Sequence, residues 1–518
     1  MKKIEINEGF EKAMELIEDV GKNVFLTGRA GTGKSTFLTH FRHVTKKRIV
    51  VLAPTGVAAI NVGGQTIHSF FHFKPNVTLQ KVRRKYKADD PTNIYKKIDA
   101  IVIDEISMVR ADLLDCVDRF LRLNGSDAYQ PFGGIQMIFI GDLYQLPPVV
   151  TSIEREIFAE EYTSPYFFDA KVFDDDVFEM DFIELEKIYR QKDDAFIAVL
   201  NAIRNRSAEP SHLQTLNQRY DADFEIPDGE YYIYLTTTNA RADEVNRERL
   251  DALSGEIIRM DGVVSGDFAR EYYPTVEQLE LKIGAQVMML NNDAAGRWVN
   301  GSIALIEDYI DDGDGNGGII ISMESGETEE VFPHTWDIYN YAMQDGKLTS
   351  DVVGSFTQYP MRLAFAITIH KSQGKTFDKA VIDIGRGTFA HGQMYVALSR
   401  CRTLEGIILK KEITLQHVRM DWHVVRFLTQ FQYAQAEKTL SLEDKMSLIC
   451  NAIKNKSDLQ ITYLKGKDEK SRRKIQPKKM GHMTYAGKEY LGLIAHCHTR
   501  NDERVFNVER ILECVICE

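Results

Sequence analysis

The chain has 518 residues, of which 44% are hydrophobic and 27% are charged, and its formal net charge at pH 7 is −12. This composition excludes a largely disordered chain, and the apolar runs fall short of the ~20 residues that cross a bilayer. Six scattered cysteines favour a reducing, cytoplasmic location over a disulfide framework. The acidic balance excludes a protein that coats polyanions by bulk attraction, so any nucleic acid must enter a locally basic channel or contact amides and hydroxyls.

The first motif is a glycine-rich loop at residues 28–35, which reads Gly-Arg-Ala-Gly-Thr-Gly-Lys-Ser. An apolar run that predicts a buried strand precedes it, and a helix-compatible segment follows it. Glycines in this setting let backbone amides converge on phosphate oxygens at the positive end of a helix. We expect Lys34 to contact the β and γ phosphates and the Ser35 hydroxyl to ligate Mg²⁺. The predicted nucleotide contacts of the loop are Gly28, Ala30, Gly31, Thr32, Gly33, Lys34, Ser35 and Thr36.

Three further apolar runs, at residues 48–53, 99–104 and 135–142, predict parallel strands of one sheet. The run at 99–104 leads into two adjacent carboxylates, and we expect Asp104 to ligate Mg²⁺ and Glu105 to activate the attacking water. Gln145 follows the third run, and the two prolines after it stiffen its turn. Its amide can contact the γ-phosphate or orient water. Strands that alternate with helical stretches predict an α/β fold with a parallel, doubly wound sheet.

The order of these motifs resembles superfamily 1 helicases, and more particularly the PIF (petite integration frequency) family, which is related to RecD-type helicases. The resemblance covers roughly residues 5–410. Besides the glycine-rich loop, the matching segments are Ala-Pro-Thr-Gly-Val-Ala-Ala at 53–59, Gly-Gly-Gln-Thr-Ile-His-Ser-Phe-Phe at 63–71, Asp-Glu-Ile-Ser at 104–107, Pro-Phe-Gly-Gly-Ile-Gln at 131–136, Gly-Asp-Leu-Tyr-Gln-Leu-Pro-Pro at 141–148, and residues 358–374, which end in Thr-Ile-His-Lys-Ser-Gln-Gly.

The resemblance implies two RecA-like P-loop NTPase lobes, at residues 1–180 and 181–410. It also implies a small wedge inserted at residues 73–97 and an SH3-like β-barrel inserted at 241–356. Independently of the resemblance, short alternating strands with tight turns favour a small barrel there. The acidic, glycine-rich run at 312–318 predicts a turn and not a calcium loop, because no glutamate closes it. A linker helix is expected at residues 411–440.

Two arginines from the second half of the chain are implied by the resemblance to reach the γ-phosphate. Arg190 ends Glu-Lys-Ile-Tyr-Arg at 186–190, and Arg400 ends Gln-Met-Tyr-Val-Ala-Leu-Ser-Arg at 393–400. Each guanidinium would neutralise charge that develops during phosphoryl transfer. A lone arginine is more often part of a surface ion pair, and the surrounding motifs decide against that alternative. Hydrolysis would then require the two lobes to close. Gly374 is also assigned to the nucleotide site by resemblance.

The helix before the glycine-rich loop departs from the family pattern. A glutamine that reads adenine is usual there, whereas this sequence has Glu11. A glutamine can accept and donate hydrogen bonds, but an ionised carboxylate can only accept them. This difference predicts loose nucleotide selectivity. A Glu11 that merely faces solvent is the alternative.

A set of hydroxyl, imidazole and aromatic side chains in the matching segments is suited to a track for a single strand. Such a track combines hydrogen bonds to phosphate with faces on which bases stack, and it requires few net positive charges. For His68 and His370 the alternative is a core histidine with satisfied hydrogen bonds. The predicted DNA contacts are Thr55, His68, Ser69 and Phe70 in the first lobe, and Thr368, His370, Lys371 and Ser372 in the second.

Residues 441–518 resemble a WYL domain, a small Sm-like barrel associated with ligand or nucleic-acid sensing. Ser441 opens a predicted capping box and a helix through residue 456. The segment 465–479 concentrates lysines and arginines, which favours a phosphate-binding face; a hydrated hairpin is the alternative. Glu489 replaces the namesake tryptophan. By resemblance the ligand face consists of Tyr463, Arg473, Arg504 and Arg510.

Two cysteines near the end of the tail raise the question of a zinc site. Cys514 and Cys517 form a Cys-x-x-Cys pair, and His496, Cys497 and His498 precede them. A second Cys-x-x-Cys pair is missing, so thiols packed between strands are the favoured interpretation.

These features predict an ATP-dependent DNA helicase that translocates on single-stranded DNA with ATP and Mg²⁺ as cofactors. The resemblance alone implies 5′-to-3′ polarity, forked and G-quadruplex DNA as substrates, and roles in DNA repair, recombination and telomere maintenance. We expect a monomer or weak self-association. One alternative is a DNA-stimulated ATPase that remodels protein–DNA complexes without unwinding. Another is a motor regulated by a ligand of its WYL domain. Preference for DNA over RNA stays open.

Overall fold

A computed structural model describes residues 6–517 apart from 75, 88, 151–157, 159, 192, 228, 311–316, 345–346 and 486. The predicted turn at 312–318 therefore falls mostly outside the described residues. The chain divides into two compact units, one of Met1–Arg204 with Ala208–Arg419 and one of Asn205–Ser207 with Met420–Glu518. Within the described part of the chain, no helix has both the length and the apolar character that crossing a membrane requires.

The first lobe contains a six-stranded sheet in which all neighbouring strands are parallel. Its strands are β1 (Asn23–Gly28), β2 (Ile49–Ala53), β3 (Gln65–Thr66), β4 (Ala100–Ile103), β5 (Gln136–Ile140) and β6 (Met180–Leu185). They lie in the order β3-β2-β4-β5-β1-β6. The four predicted strands are therefore present. β6 pairs with β1 along its whole length, so this lobe extends beyond the predicted boundary at residue 180.

Helices pack on this sheet and bury aromatic side chains against it. They are α1 (Glu8–Met14), α2 (Lys34–Val44), α3 (Gly56–Asn61), α4 (Ile67–Phe71) and α5 (Ala111–Asn124). α1 continues as a π-helical turn, Glu15–Val20. Phe10 and Phe37 meet edge to face at 5.4 Å in a core that also contains Leu26. Short 3-10 turns occur at Leu79–Lys81, Ile94–Lys96, Ile106–Met108, Pro131–Gly134, Phe167–Asp169 and Lys171–Asp174.

The predicted wedge at residues 73–97 is anchored to the first lobe by hydrogen bonds. The Asn124 side-chain oxygen, at the end of α5, accepts from the Lys85 backbone N–H at 2.7 Å. Tyr95 is buried, and its hydroxyl donates to the Phe70 carbonyl oxygen at 2.7 Å. These contacts hold the segment against α4 and α5.

The second lobe begins after β6 and is interrupted by an all-β insertion. It begins with α6 (Asp194–Arg204), α7 (Pro210–Asn217), β7 (Ile233–Thr236) and α8 (Asn239–Ala252). The insertion follows with β8 (Ile258–Asp261), β9 (Val263–Gly266), β10 (Gln278–Leu281), β11 (Gln286–Met289), β12 (Ile303–Ile310), β13 (Gly318–Met323), β14 (Thr328–Val331), β15 (His334–Gln344), β16 (Lys347–Gln358) and β17 (Met361–Leu363), with a 3-10 turn at Arg270–Tyr272.

The strands of the insertion form three antiparallel sheets. Five strands lie in the order β14-β13-β12-β11-β17, three in the order β15-β16-β9, and β10 pairs with β8. Val287, Ile306 and Ile321 lie in the apolar core of the insertion. The likeness to an SH3 barrel stays a prediction.

The chain then returns to the second lobe with β18 (Ala366–Thr368), β19 (Ala380–Asp383), α9 (Gln393–Leu398) and β20 (Ile407–Leu409). β7 pairs with β18 and β19, and all strands of this sheet are parallel, in the order β18-β7-β19-β20. α6 packs against α9.

The C-terminal unit has two helices and one antiparallel sheet. The helices are α10 (Trp422–Thr439) and α11 (Leu442–Asn455), the strands are β21 (Leu459–Lys465), β22 (Glu469–Tyr485), β23 (Lys488–Cys497), β24 (Asp502–Asn507) and β25 (Ile511–Ile516), and a 3-10 turn lies at Val508–Arg510. The strand order is β24-β23-β22-β21-β25. Ser441 caps α11 as predicted, since its hydroxyl accepts from the Asp444 N–H at 3.1 Å. Cys497 and Cys514 are buried in the core of this unit, and the described residues contain no cluster of metal-ligating side chains.

Candidate nucleotide-binding cleft

The glycine-rich loop connects β1 to α2, as the sequence predicts. Gly31 and Gly33 have φ angles of 80° and 90°, a left-handed region that glycine adopts most readily. A Cβ at Gly31 would lie 2.5 Å from the Cβ of Arg190, so a side chain has no room there. Gly33 precedes α2, whose first N–H groups lack intrahelical acceptors. Those amides can bind phosphate oxygens.

The Lys34 side chain folds back along this loop. Its Nζ donates to the carbonyl oxygens of Gly28 at 2.7 Å and Arg29 at 3.1 Å. Burial lowers the pKa of Lys34, and the carboxylates of Asp142 and Glu105 oppose that shift. Phosphate oxygens would compete with the two carbonyls for this ammonium group.

The predicted acidic pair follows β4 at the carboxyl edge of the sheet. Glu105 has a φ of 51°, a conformation that costs a non-glycine residue about 1–3 kcal/mol and occurs preferentially at functional sites. Burial raises the pKa of the Asp104 and Glu105 carboxyl groups, and the charge of Asp104 raises that of Glu105 further. Gln373 Nε2, from the second lobe, donates to Glu105 Oε2 at 2.9 Å.

Gln145 lies in a turn that presses against the second lobe. Its side chain is buried, and Nε2 donates to Asp142 Oδ2 at 3.1 Å. A Cβ at Gly392 would lie 2.1 Å from the Gln145 carbonyl oxygen and 2.4 Å from that of Tyr144. Gly392 also has a φ of 71°. Glycine at position 392 therefore permits the close approach of α9 to the Gln145 turn.

The two predicted arginines converge on Ser399. Arg190 Nη1 donates to the Ser399 carbonyl oxygen at 3.1 Å, and Arg400 Nη2 donates to Ser399 Oγ at 2.8 Å. Arg400 is 1% exposed, and its Nε donates to the Val396 carbonyl oxygen at 2.8 Å. Burial, with the nearby positive charge of Arg190, lowers the pKa of Arg400 to about 9. Arg190 follows β6 closely, so it lies at the junction between the lobes.

Glu11, Thr36 and Gly374 are further residues predicted to contact the nucleotide. Glu11 is exposed on α1, which agrees with the solvent-facing alternative for this residue. Its neighbour Phe10 is buried, and a Cβ at Gly33 would meet the Phe10 ring at 3.4 Å. Thr36 and Gly374 are exposed. A role of Glu11 in reading the base stays a prediction.

The first-lobe residues predicted to contact DNA have different exposures. Thr55 is exposed and caps α3, since its hydroxyl accepts from the Ala58 N–H at 3.3 Å. His68 and Ser69 are half-buried. Phe70 is only 3% exposed, and its ring packs edge-on against Tyr95 at 5.3 Å. The Phe70 ring therefore packs inside the first lobe, and its contact with a base stays a prediction.

The second-lobe residues predicted to contact DNA also separate into surface and core. Lys371 is exposed, and His370 stacks on Phe389 at 5.9 Å with an interplanar angle of 13°. Thr368 and Ser372 are buried, and Ser372 Oγ donates to the Ile369 carbonyl oxygen at 2.7 Å. These two hydroxyls therefore make internal contacts, and their contact with a strand stays a prediction.

Sequence reasoning missed three residues of the cleft. Phe389 is 56% exposed although its ring is aromatic, and it extends the stack begun by His370. The Tyr395 hydroxyl accepts from the Ala30 N–H of the glycine-rich loop at 2.9 Å. Gln373 holds Glu105, as described above. Tyr395 and Gln373 lie within the recognised segments, but their partners are more than 200 residues away in the chain.

The C-terminal unit has its own groove, with a volume of about 500 Å³. Three of the four predicted ligand residues line it, and Arg510 does not. Arg473 lies over the Phe506 ring at 5.9 Å, and Tyr463 meets the same ring edge-on at 5.2 Å. The groove is lined by Tyr463, Lys465, Arg473, Asp502, Glu503, Arg504, Val505 and Phe506.

The cleft thus combines phosphate-binding amides, a lysine, an acidic pair and arginines from the far side. This combination can bind a nucleoside polyphosphate, deprotonate or orient water beside it, and neutralise the charge of its terminal phosphate. The fold and the cleft define a P-loop nucleoside triphosphatase with two motor lobes.

Comparison with known proteins identifies the family. Residues 5–211 match the PIF1-like helicase family, and residues 444–516 match the WYL domain. ATP-dependent DNA helicase Pif1 of Bdellovibrio bacteriovorus is 30% identical over 83% of this chain and 93% of its own length. ATP-dependent DNA helicase PIF1 of Xenopus laevis is 32% identical over 82% of this chain and 64% of its own length.

Solved structures agree with these matches. Bacteroides sp Pif1 in complex with ADP-AlF4 has a TM-score of 0.76 and 38% identity, and the match covers 83% of this chain and 97% of that chain. Bacteroides Pif1 bound to ssDNA has a TM-score of 0.60 and 39% identity over 82% of this chain and 96% of that chain. A structure of two coordinating Pif1 helicases at forked dsDNA has a TM-score of 0.58, with 38% identity over the same fractions.

The chain belongs to the PIF1-like helicase family and carries a WYL domain. The predictions of this family and of the WYL domain are confirmed, and the relatives matched are named ATP-dependent DNA helicases. The chain spans just under two thirds of the length of its relatives from Xenopus laevis, mouse, rat and human.

We expect Gly392→Ala to lower the kcat of ATP turnover about 100-fold, because the added methyl group displaces the Gln145 turn and a 1 Å misplacement has that effect. The left-handed φ adds a stability loss of about 1 kcal/mol. Steady-state hydrolysis with saturating ssDNA measures the first effect, and thermal unfolding measures the second.

Gly385→Ala is the matched control for this substitution. Gly385 lies in the same lobe with a φ of 52°, but a Cβ there would have no neighbour within 4 Å. It should lose similar stability and keep its turnover. Equal turnover in the two variants would contradict the role of the close approach.

Proposed function

We propose that this protein translocates 5′ to 3′ on single-stranded DNA and unwinds forked duplexes by opening and closing its two lobes around ATP. The observation that carries the proposal is the division of the phosphoryl-transfer residues between the lobes. The loop and the acidic pair belong to the first lobe, while Arg400 and Gln373 belong to the second. Hydrolysis therefore depends on lobe closure, and each cycle can move the strand relative to the lobes.

Mg²⁺ is proposed as the metal that accompanies ATP. Ser35 is exposed at the first turn of α2, and Asp104 follows β4 at the same sheet edge. Hydroxyl and carboxylate oxygens are the hard ligands that suit this ion. When bound, Mg²⁺ would neutralise charge on the phosphates. Glu105, held by Gln373, would accept the proton of the attacking water.

The strand track is proposed to run over Thr55, His68 and Ser69 in the first lobe and over His370, Lys371 and Phe389 in the second. The Phe389–His370 stack offers an exposed aromatic face for a base. Bases stack on such rings without sequence preference. The structure of Bacteroides Pif1 bound to ssDNA supports single-stranded DNA as the partner. We also propose that the insertion is an SH3-like barrel and the C-terminal sheet an Sm-like one.

Lys34→Ala and Glu105→Gln should each lower ATP turnover by about 100-fold or more, since each removes one charged group from phosphoryl transfer. Glu105→Gln should keep nucleotide affinity, which fluorescent ATP-analogue binding measures. Lys22→Ala is the control, because the Lys22 side chain makes an exposed ion pair with Glu179 at 2.8 Å. Turnover within about tenfold of wild type in either cleft variant would contradict these roles.

Polarity and unwinding are tested with duplexes that carry a 5′ tail, a 3′ tail or a G-quadruplex. We expect ATP-dependent strand displacement from the 5′-tailed duplex and none from the 3′-tailed duplex. ATP turnover without displaced strand would favour the alternative, a DNA-stimulated ATPase that remodels protein–DNA complexes. Equal displacement from both tails would contradict the polarity.

A second function, nucleic-acid binding, is proposed for the C-terminal groove. Arg473, Arg504 and Lys465 line it beside the Phe506 ring, which combines charges for phosphate with apolar surface. Ligand binding there would regulate the motor. The proposed roles in repair, recombination and telomere maintenance, the substrate G-quadruplex DNA, the cytoplasmic location and the weak self-association rest on family resemblance alone.

Arg504→Ala and Arg473→Ala should each reduce the salt dependence of DNA binding, lowering the slope of log K against log salt by about one. Anisotropy titrations with the full chain over a range of salt concentrations measure this slope. Arg510→Ala is the matched control, because Arg510 lies outside the groove. An unchanged slope in both groove variants would show that the groove does not bind nucleic acid.

A further inference from the structure

Arg204 is a buried arginine that none of the motifs accounts for. It ends α6 in the second lobe, and the residue is 5% exposed. Its guanidinium carbon lies 4.0 Å from the ring centroid of Tyr144, and its Nη2 lies 3.7 Å from Asp142 Oδ1. Tyr144 and Asp142 belong to the turn that carries Gln145. A second-lobe charge is therefore placed directly against the first-lobe turn that faces the nucleotide.

The Asp142 carboxylate is shared between this arginine and Gln145. Oδ2 accepts from Gln145 Nε2 at 3.1 Å, and Oδ1 accepts from the Tyr144 N–H at 3.1 Å. The 3.7 Å separation from Arg204 is an ion pair but too long for a hydrogen bond. Asp142 is fully buried. The loss of a hydrogen-bond donor to its carboxylate without replacement therefore carries a large free-energy cost.

The Arg204 side chain can make a further hydrogen bond if Asp142 loses a donor. Within the part of the chain that the structure describes, no acceptor lies within hydrogen-bond distance of its Nε. A guanidinium offers five N–H groups in a fixed fork. A shift on the order of 1 Å would convert the ion pair with Asp142 into hydrogen bonds. The stack on Tyr144 restrains the guanidinium so that it can make such a shift without leaving the turn.

We infer that Arg204 is a positioning residue that replaces Gln145 as a hydrogen-bond donor to the Asp142 carboxylate. This replacement couples the contact of Gln145 with the γ-phosphate to closure of the lobes. When the Gln145 amide turns to a phosphate oxygen, Asp142 loses a donor and Arg204 replaces it. α6 then moves toward the Gln145 turn. This inference rests on the proposed ATP-driven closure of the lobes and on the predicted contact between Gln145 and the γ-phosphate, and it adds the route by which that contact reaches the second lobe.

The inference is tested with Arg204→Met, Gln145→Ala and the double variant. We expect Arg204→Met to lower the kcat of DNA-stimulated hydrolysis between about 10- and 100-fold, as misplaced supporting residues do. The KM for ATP should change less than twofold, because the residue does not touch the nucleotide. The kcat of the double variant should be no lower than that of Gln145→Ala, because both substitutions remove the same coupling between phosphate contact and lobe closure.

Three outcomes overturn the inference or its basis. Losses that multiply in the double variant would show that Arg204 acts independently of Gln145, as a purely structural residue would. A Gln145→Ala variant with normal kcat would instead refute the proposed phosphate contact itself. A wild-type kcat in Arg204→Met would remove any role for the residue in hydrolysis.

Two controls separate positioning from loss of folding. Arg297 pairs with Asp293 at 2.7 Å and stacks on Trp298 at 4.4 Å, but it lies in the insertion, so Arg297→Met should keep the wild-type kcat. Arg204→Lys keeps the charge but lacks the planar fork and the stack. It should fold with a wild-type melting temperature and still lose kcat. Full recovery of kcat by lysine would overturn the exchange, which requires the fork.

Discussion

The two lobes bring buried charges of opposite sign to one cleft, and those charges compensate one another only when the lobes are together. Asp142 from the first lobe is fully buried, and Arg204 and Arg400 from the second lobe are almost so. An isolated buried charge costs several kcal/mol, so separating the lobes would leave both sets uncompensated unless water entered. A polyphosphate adds negative charge to this balance. Nucleotide binding and lobe packing therefore both change the electrostatic free energy of these buried charges, which couples one process to the other.

The proposed catalytic base is held by the segment that also contributes to the proposed strand track. Glu105 has a left-handed backbone conformation, and Gln373 of the second lobe holds its carboxylate. Gln373 follows His370 and Lys371, the residues that carry the proposed second-lobe contacts with the strand. A strand that shifts this segment also shifts the hydrogen bond on Glu105. In the proposed mechanism, this shared segment would let DNA stimulate hydrolysis without a longer path through the protein.

Sequence predicted the parts of the cleft whose chemistry is local. The glycine-rich loop was predictable because its glycines, Lys34 and the following helix are consecutive, and the parallel strands were predictable from their apolar runs. Burial was not predictable in the same way. Phe70 and Ser372 match motif positions, yet tertiary contacts place their side chains inside. The contact of Arg204 with Asp142 was not predictable, because the two residues are 62 positions apart in sequence and no local pattern links them.

The acidic net charge of the chain is compatible with two different modes of nucleic-acid binding. The proposed track has hydroxyls, imidazoles and the Phe389 ring, with Lys371 as its exposed cation, so stacking supplies much of its affinity and salt affects it weakly. In the groove of the C-terminal unit, the proposed contacts of Arg473 and Arg504 with phosphate would be weakened strongly by salt. A motor must release the strand in every cycle, which a stacking track with few charges permits. A separate basic groove can stay bound during that release, so retention on DNA need not slow the step.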